Sequence, residues 1–200
     1  MVSALELGLR ERIEIVPTYW PHAWGTRTVD FDPAFLAANP IGRIPVLVTD
    51  DNIAIPESNW ICQYLDSLAG EPRLMPQHGA ARWHCVRVLA IADGALEAMI
   101  ARRAESLRTG ADRSEDFLAK QRDRARRCMD ALESETGALT GDLTLAQIST
   151  GIGCGYMDFR YPEDDWRRRC PKLSAWYEEF SQRPSMMQTV PTETPQRPPA

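Results

Sequence analysis

The sequence has no run of 18 apolar residues, so no membrane-spanning helix is expected. Its start lacks a basic stretch followed by an apolar core, so no secretory signal is expected either. Basic residues are not in excess: 23 Lys and Arg stand against 28 Asp and Glu, a formal net charge of -5. Nucleic acid as main partner calls for the opposite sign, so no nucleic acid is expected. No Cys-x-x-Cys occurs. The five cysteines (Cys62, Cys85, Cys128, Cys154, Cys170) are odd in number and scattered, which fits free thiols in a reduced, cytoplasmic chain and excludes a thioredoxin-type exchanger. The three histidines, His22, His78 and His84, form no i, i+4 pair, so no metal is expected.

What is present is ordinary globular composition, 44% hydrophobic and 26% charged, in a length that suits two small domains. Residues 2–9 read as a helix stopped by Gly8. Ile13-Glu14-Ile15-Val16 alternates and is β-branched, which predicts a strand. Pro17 to Asp32 reads as a loop with Tyr19, Trp20, Trp24 and Phe31, and Asp32-Pro33 as the cap and first turn of a short helix ending at Asn39-Pro40. Pro45–Val48 and Ile53–Ile55 then form a hairpin about the turn 49–52. A helix over Glu57–Leu68 follows, with Trp60, Ile61, Tyr64, Leu65 and Leu68 on one face.

Gly70, Pro72, Pro76 and Gly79 mark a composition break. The expected division is therefore a first domain over residues 1–69, a linker over 70–79, an all-helical domain over 80–190 and a Pro-rich tail over 191–200. Ala80–Leu107 reads as a long helix with apolar residues at Trp83, Val86, Val88, Leu89, Leu96 and Ile100, and Arg113–Leu139 as a charged amphipathic one with Phe117, Leu118, Cys128, Met129 and Leu132 inward. The second carries Arg122, Arg124, Arg126 and Arg127 interleaved with acids, the pattern of a solvated face. Thr144-Leu145-Ala146-Gln147 has the spacing of a capping box. Pro171 opens another helix, and Trp166 and Trp176 are core candidates. Asp158 and Arg160 read as a structural pair.

The candidate site lies where the hairpin meets its helix. Glu57-Ser58 puts an acid and a hydroxyl at a helix start, which offers unpaired N–H groups and partial positive charge. Such a pair suits a zwitterion, for instance an α-amino acid head group; a plain helix cap is the alternative. Cys62, one turn on, reads as a packing residue.

Asn39-Pro40-x-Gly42-x-x-Pro45-x-Leu47, then Glu57-Ser58, then an all-helical run with Ala92-Asp93-Gly94, Gly155–Arg160, Asp165-Trp166-Arg167, Pro171–Tyr177 and Arg183-Pro184-Ser185, resembles the cytosolic glutathione S-transferases, in particular a bacterial subgroup. The resemblance implies an α/β plus all-α fold: a thioredoxin-like N-terminal domain, lacking its first strand, before an all-helical C-terminal domain. It implies a cis Ile44–Pro45 bond, with the backbone of Ile44 pairing with the cysteinyl part of glutathione. It implies that Glu57 meets the γ-glutamyl ammonium and Ser58 its carboxylate. It implies glutathione as co-substrate, no metal, a small electrophile as partner in detoxification chemistry, and a homodimer. Arg102 and Arg103 fall on the helix that lines the family's substrate cleft. Tyr19, Trp20, His22 and Trp24 are weaker candidates for the border of that cleft.

The family's catalytic Ser, Cys or Tyr sits in a loop ahead of the first helix. This chain begins inside that helix, so the catalytic residue is expected upstream of Met1, with Met1 an internal Met of a longer protein. The alternative is a non-catalytic binding module. Without the first strand, Ile13–Val16 would lose its neighbour, and each unpaired buried backbone group costs about 1–3 kcal/mol.

Overall fold

The computed structural model describes residues 1–16, 33–70 and 74–193. Tyr19, Trp20, His22, Trp24, Phe31, Asp32, Pro72 and most of the tail lie outside those residues.

Helix α1 (Val2–Glu6) ends as its sequence predicts, with Gly8 at φ 68°. A 3-10 turn over Arg10–Arg12 follows. The predicted strand over Ile13–Val16 is not formed. Ile13 is extended (φ -114°, ψ 115°), yet among the described residues no strand pairs with this segment. A β-branched pattern favours extended backbone, but a strand needs a neighbour to take its N–H and C=O groups. Without one, Ile15 and Val16 stand exposed.

Helix α2 (Pro33–Ala38) leads into the hairpin. Strands β1 (Val46–Val48) and β2 (Ala54–Pro56) are antiparallel, with Val46 opposite Pro56, Leu47 opposite Ile55 and Val48 opposite Ala54. Thr49 closes the turn: its N–H donates to the Ile53 carbonyl at 3.0 Å and its hydroxyl accepts from the Ile53 N–H at 3.1 Å.

Helix α3 (Ser58–Leu68) buries Leu65 and Asp66, with Ile61, Cys62 and Tyr64 packed against the core. Trp60 and Leu68 are exposed instead of inward. Asp66 is buried because it is used: it accepts the N–H groups of Leu74 (2.8 Å) and Met75 (3.3 Å), fixing the chain as it leaves the first unit. Leu74 in turn accepts from the Leu145 N–H at 2.8 Å.

The second unit is helical throughout: α4 (Gly79–Ser106), α5 (Glu115–Ser134), α6 (Leu145–Arg160), α7 (Trp166–Arg169), α8 (Pro171–Phe180) and α9 (Pro184–Met187). The Thr144 capping box forms in full, Gln147 N–H to the Thr144 hydroxyl and Thr144 N–H to the Gln147 side chain. Helix α6 runs through the core. Val88, Ala92, Ala95 and Met99 of α4 form the stripe that the helical repeat predicts, at i, i+4, i+7 and i+11. The small Ala92 and Ala95 let the helices approach closely, and it is this stripe that faces inward; Trp83, Ile100 and Phe117 are exposed. Gly151 of α6 sits under Phe180: a Cβ there would lie 2.6 Å from the ring.

Asp158 does not pair with Arg160. It accepts from the Trp166 indole N–H at 2.8 Å and from Arg167 at 3.1 and 2.7 Å, while Arg160 pairs with Glu193 at 2.7 Å. Trp166 is buried as expected, and Trp176 packs against the core with its indole N–H on the Leu139 carbonyl at 2.9 Å. The first unit is tied to the last helices through Glu6, which accepts from Arg183 at 2.9 and 2.8 Å and from the Ser185 hydroxyl.

Candidate functional site

The Asn-Pro-x-Gly stretch is a turn organised by a buried side chain. Asn39 is fully buried. Its side-chain oxygen accepts from the Ile41 N–H at 3.1 Å, its amide donates to the Arg43 carbonyl, and its own carbonyl accepts from the Gly42 N–H at 3.0 Å. Gly42 has φ 67°, a conformation that glycine adopts without the steric cost of a side chain. The turn delivers Ile44 and Pro45 to the entrance of β1 with a cis peptide bond between them. The Ile44 N–H and C=O make no hydrogen bond among the described residues, so this short edge is left open.

The hairpin register brings the other half of the site to the same place. Val46 faces Pro56, so Pro45, just before β1, and Glu57, just after β2, lie at the same end of the hairpin. Glu57 has φ 67° and ψ 124°. A non-glycine residue in the left-handed region costs about 1–3 kcal/mol, and such residues gather at ligand clamps. It occupies the N-cap position of α3, where its carbonyl accepts the Ile61 N–H at 3.1 Å, but its side chain makes no cap hydrogen bond. Glu57 and Ser58 are exposed at the start of α3, whose first N–H groups and partial positive charge lie beside the Ser58 hydroxyl. The structure therefore brings all four sequence-predicted residues, Ile44, Pro45, Glu57 and Ser58, to one end of the hairpin. It offers an open backbone edge, a carboxylate, a hydroxyl and a helix start.

Three contributors, Asn39, Asn59 and Asp93, escaped the sequence reading as site residues. Asn59, the next residue of α3, donates to Asp93 of α4, and Asp93 accepts the Ser149 hydroxyl of α6 at 2.8 Å on its other oxygen. The site helix is thus held against the helical unit by a carboxylate. Asp93 stood in the sequence only as part of Ala-Asp-Gly. Asn39 stood there only as a turn residue.

Other candidates fall elsewhere. Cys62 lies against the Ser3 hydroxyl at 3.2 Å; burial pushes its thiol up, the Ser3 hydrogen bond opposing only in part. It stays a protonated packing group, not a thiolate. Arg102 is committed to Asp164 and, at 3.3 Å, to Glu163, and it lies 3.9 Å over the Tyr161 ring. Burial pushes the Tyr161 hydroxyl up to about 12. Among the described residues, no group of three His, Cys, Asp or Glu side chains is placed to hold a metal, and no helix is long and apolar enough to cross a membrane.

The family model for the glutathione S-transferase N-terminal domain matches residues 2–68, and the model for the C-terminal domain matches residues 87–179. The chain belongs to the glutathione S-transferase family. The transferase fold, a thioredoxin-like unit followed by an all-helical one, is the fold that its elements build. It is 31% identical over 156 residues to an uncharacterized GST-like protein of Escherichia coli K12, YibF, covering 76% of this chain and 77% of that one. Glutathione S-transferase 2 of Saccharomyces cerevisiae is 28% identical over 167 residues, covering 77% and 70% of the two chains. Among solved structures, a glutathione transferase family member from Pseudomonas fluorescens Pf-5 with bound glutathione superposes with a TM-score of 0.86 at 36% identity, over 96% of this chain and 91% of the other.

Proposed function

We propose that this transferase-family chain binds glutathione along the Ile44–Pro45 edge, with the γ-glutamyl ammonium on Glu57 and its carboxylate on Ser58 and the start of α3. The observation that carries the reading is Glu57 and Ser58, exposed and with no side-chain cap hydrogen bond from Glu57, at the point where the hairpin delivers Ile44 and Pro45. The backbone of Ile44 pairs with the cysteinyl residue, so its exposed side chain is free to vary. The Pseudomonas relative with bound glutathione, at 36% identity, supports this reading. The glutathione thiol then attacks or reduces a small electrophile; no metal is called for, because the chemistry needs only a lowered thiol pKa. The protein works in the cytoplasm as a homodimer, with the exposed Trp60 and Trp83 in its interface.

Retention on immobilised glutathione tests the binding. The wild-type chain is retained and eluted by free glutathione, and Glu57→Ala and Ser58→Ala each weaken retention about tenfold or more. Equal retention of all three overturns the assignment. Turnover of a panel of electrophiles with glutathione separates an enzyme from the second reading, a non-catalytic binding module. The absence of any ladder at Ile13–Val16 among the described residues favours that second reading. Retention without turnover establishes it.

A further inference from the structure

Asn39 is fully buried, an uncommon place for an amide side chain. Burying an amide is costly unless its polar ends are hydrogen-bonded. Here both ends find partners within four residues: the oxygen accepts the Ile41 N–H at 3.1 Å, and the amide donates to the Arg43 carbonyl. The backbone of Asn39 is anchored in turn, its N–H donating to the Phe35 carbonyl of α2 at 2.8 Å. One side chain thus ties the end of α2 to the residues that enter β1.

The Arg43 carbonyl and the Ile44 N–H belong to one peptide unit. Among the described residues the cis bond is Ile44–Pro45, so the 43–44 unit is trans. In a planar trans peptide the C=O and N–H point in opposite directions. Holding the Arg43 carbonyl on the buried Asn39 amide therefore turns the Ile44 N–H away from the interior. That N–H makes no hydrogen bond among the described residues, and Ile44 is 52% exposed. Among the described residues no other group donates to the Arg43 carbonyl. Remove the amide, and this peptide plane loses its hydrogen-bonded anchor.

We propose that Asn39 is a positioning residue: through the 43–44 peptide it aims the Ile44 N–H at the cysteinyl carbonyl of glutathione. This assignment rests on the glutathione reading and deepens it, since it names the side chain that makes the edge prefer an extended peptide backbone to a γ-glutamyl head alone. Asn39 touches no ligand atom; it acts one peptide away. Pre-orienting the donor spares the ligand the cost of ordering that peptide on binding.

Calorimetry on the full chain tests this with two ligands: glutathione, and γ-glutamylcysteamine, which keeps the γ-glutamyl head and the thiol but has no cysteinyl carbonyl. Asn39→Ala is expected to weaken glutathione about three- to tenfold, the worth of one uncharged hydrogen bond, and to leave γ-glutamylcysteamine within about twofold of wild type. Asn39→Asp keeps an oxygen for the Ile41 N–H and loses the donor to Arg43. At about pH 8, above the usual carboxylate range, it shows the same selective loss, and it decides the matter if Asn39→Ala does not fold. Glu57→Ala, by contrast, weakens both ligands alike, since both carry the ammonium assigned to it. If the Asn39 variants weaken both ligands by one factor, the side chain merely props the turn and the assignment is overturned. It is equally overturned if they weaken neither while Glu57→Ala weakens both. Failure of the glutathione reading has a different signature: no uptake of glutathione by the wild-type chain, or Glu57→Ala and Ser58→Ala without effect, and it removes the Asn39 assignment with it.

Discussion

Asn59 and Asp93 join the helix that carries the candidate glutathione site to the longest helix of the second unit. Because Asp93 also accepts from Ser149, one carboxylate fixes α3, α4 and α6 at a single point. The start of α3, with Glu57 and Ser58 immediately before Asn59, inherits its position from that contact.

Asp93→Ala is therefore expected to weaken glutathione retention about tenfold or more, the worth of roughly one hydrogen bond to a charged group, with the circular dichroism spectrum kept. Asn59→Ala should do the same. The two together should cost little more than either alone, since they break one interaction. Additive losses in this double-mutant cycle would refute a shared role.

The clamp of Glu6 on Arg183 and Ser185 spans nearly the whole chain. The Glu6 hydrogen bond raises the Arg183 pKa, and the guanidinium side of the pair is more than a third exposed, so solvent screens it. Glu6→Gln is expected to cost about 1 kcal/mol, read as a lowered urea midpoint with unchanged slope. An unaltered midpoint would show that α1 docks without it.

Gly151 has no room for a side chain beside Phe180. Gly151→Ala forces the ring, stacked on Trp176 with centroids 4.6 Å apart, to shift. A loss of about 1–3 kcal/mol is expected from overpacking. Adding Phe180→Leu should restore part of it; if the single variant is neutral in thermal unfolding, the packing argument is wrong.

Cys170 is fully buried, and burial pushes its thiol up to about 11. A folded pKa raised above the unfolded one means the native state holds its proton longer. Its contribution is complete below about pH 9, where unfolded thiols also keep their protons, and is lost as pH rises through about 11. Cys170→Ala should move the alkaline unfolding midpoint upward. No movement would mean that other groups set that limb.

Trp60 and Trp83 are 61% and 68% exposed, an arrangement that leaves two large apolar surfaces in water. If they form the interface of a homodimer, Trp60→Glu with Trp83→Glu yields monomers by sedimentation at concentrations where the parent is dimeric. A parent that is monomeric at micromolar levels removes the interface from the proposal.

The legible features were those settled by neighbours in sequence. Thr144 and Gln147 predict their box because both partners lie three residues apart. Asn39 and Gly42 predict their turn, and the short hairpin loop 49–52 allows little but antiparallel pairing, which carries Pro45 toward Glu57. Phe117 was misread because periodicity marks a face without saying which face meets the core, and alanines occupy the close contacts that large rings cannot. Ile13–Val16 was misread because strand propensity is a property of the segment, whereas a strand is a property of a pair.

The sequence by itself determined the stop at Gly8, the Thr144 capping box and the hairpin, because caps, turns and tight hairpins act over a few residues, while the proposed set Ile44, Pro45, Glu57 and Ser58 came from the resemblance to the family. Only the tertiary structure decided that Asp158 belongs to Trp166 and Arg167 rather than Arg160, that Glu6 meets Arg183, and that Arg124 faces Glu97. These pairings depend on which helices cross and how closely. That is fixed by the small residues packed between them, whose contacts no local pattern spells out.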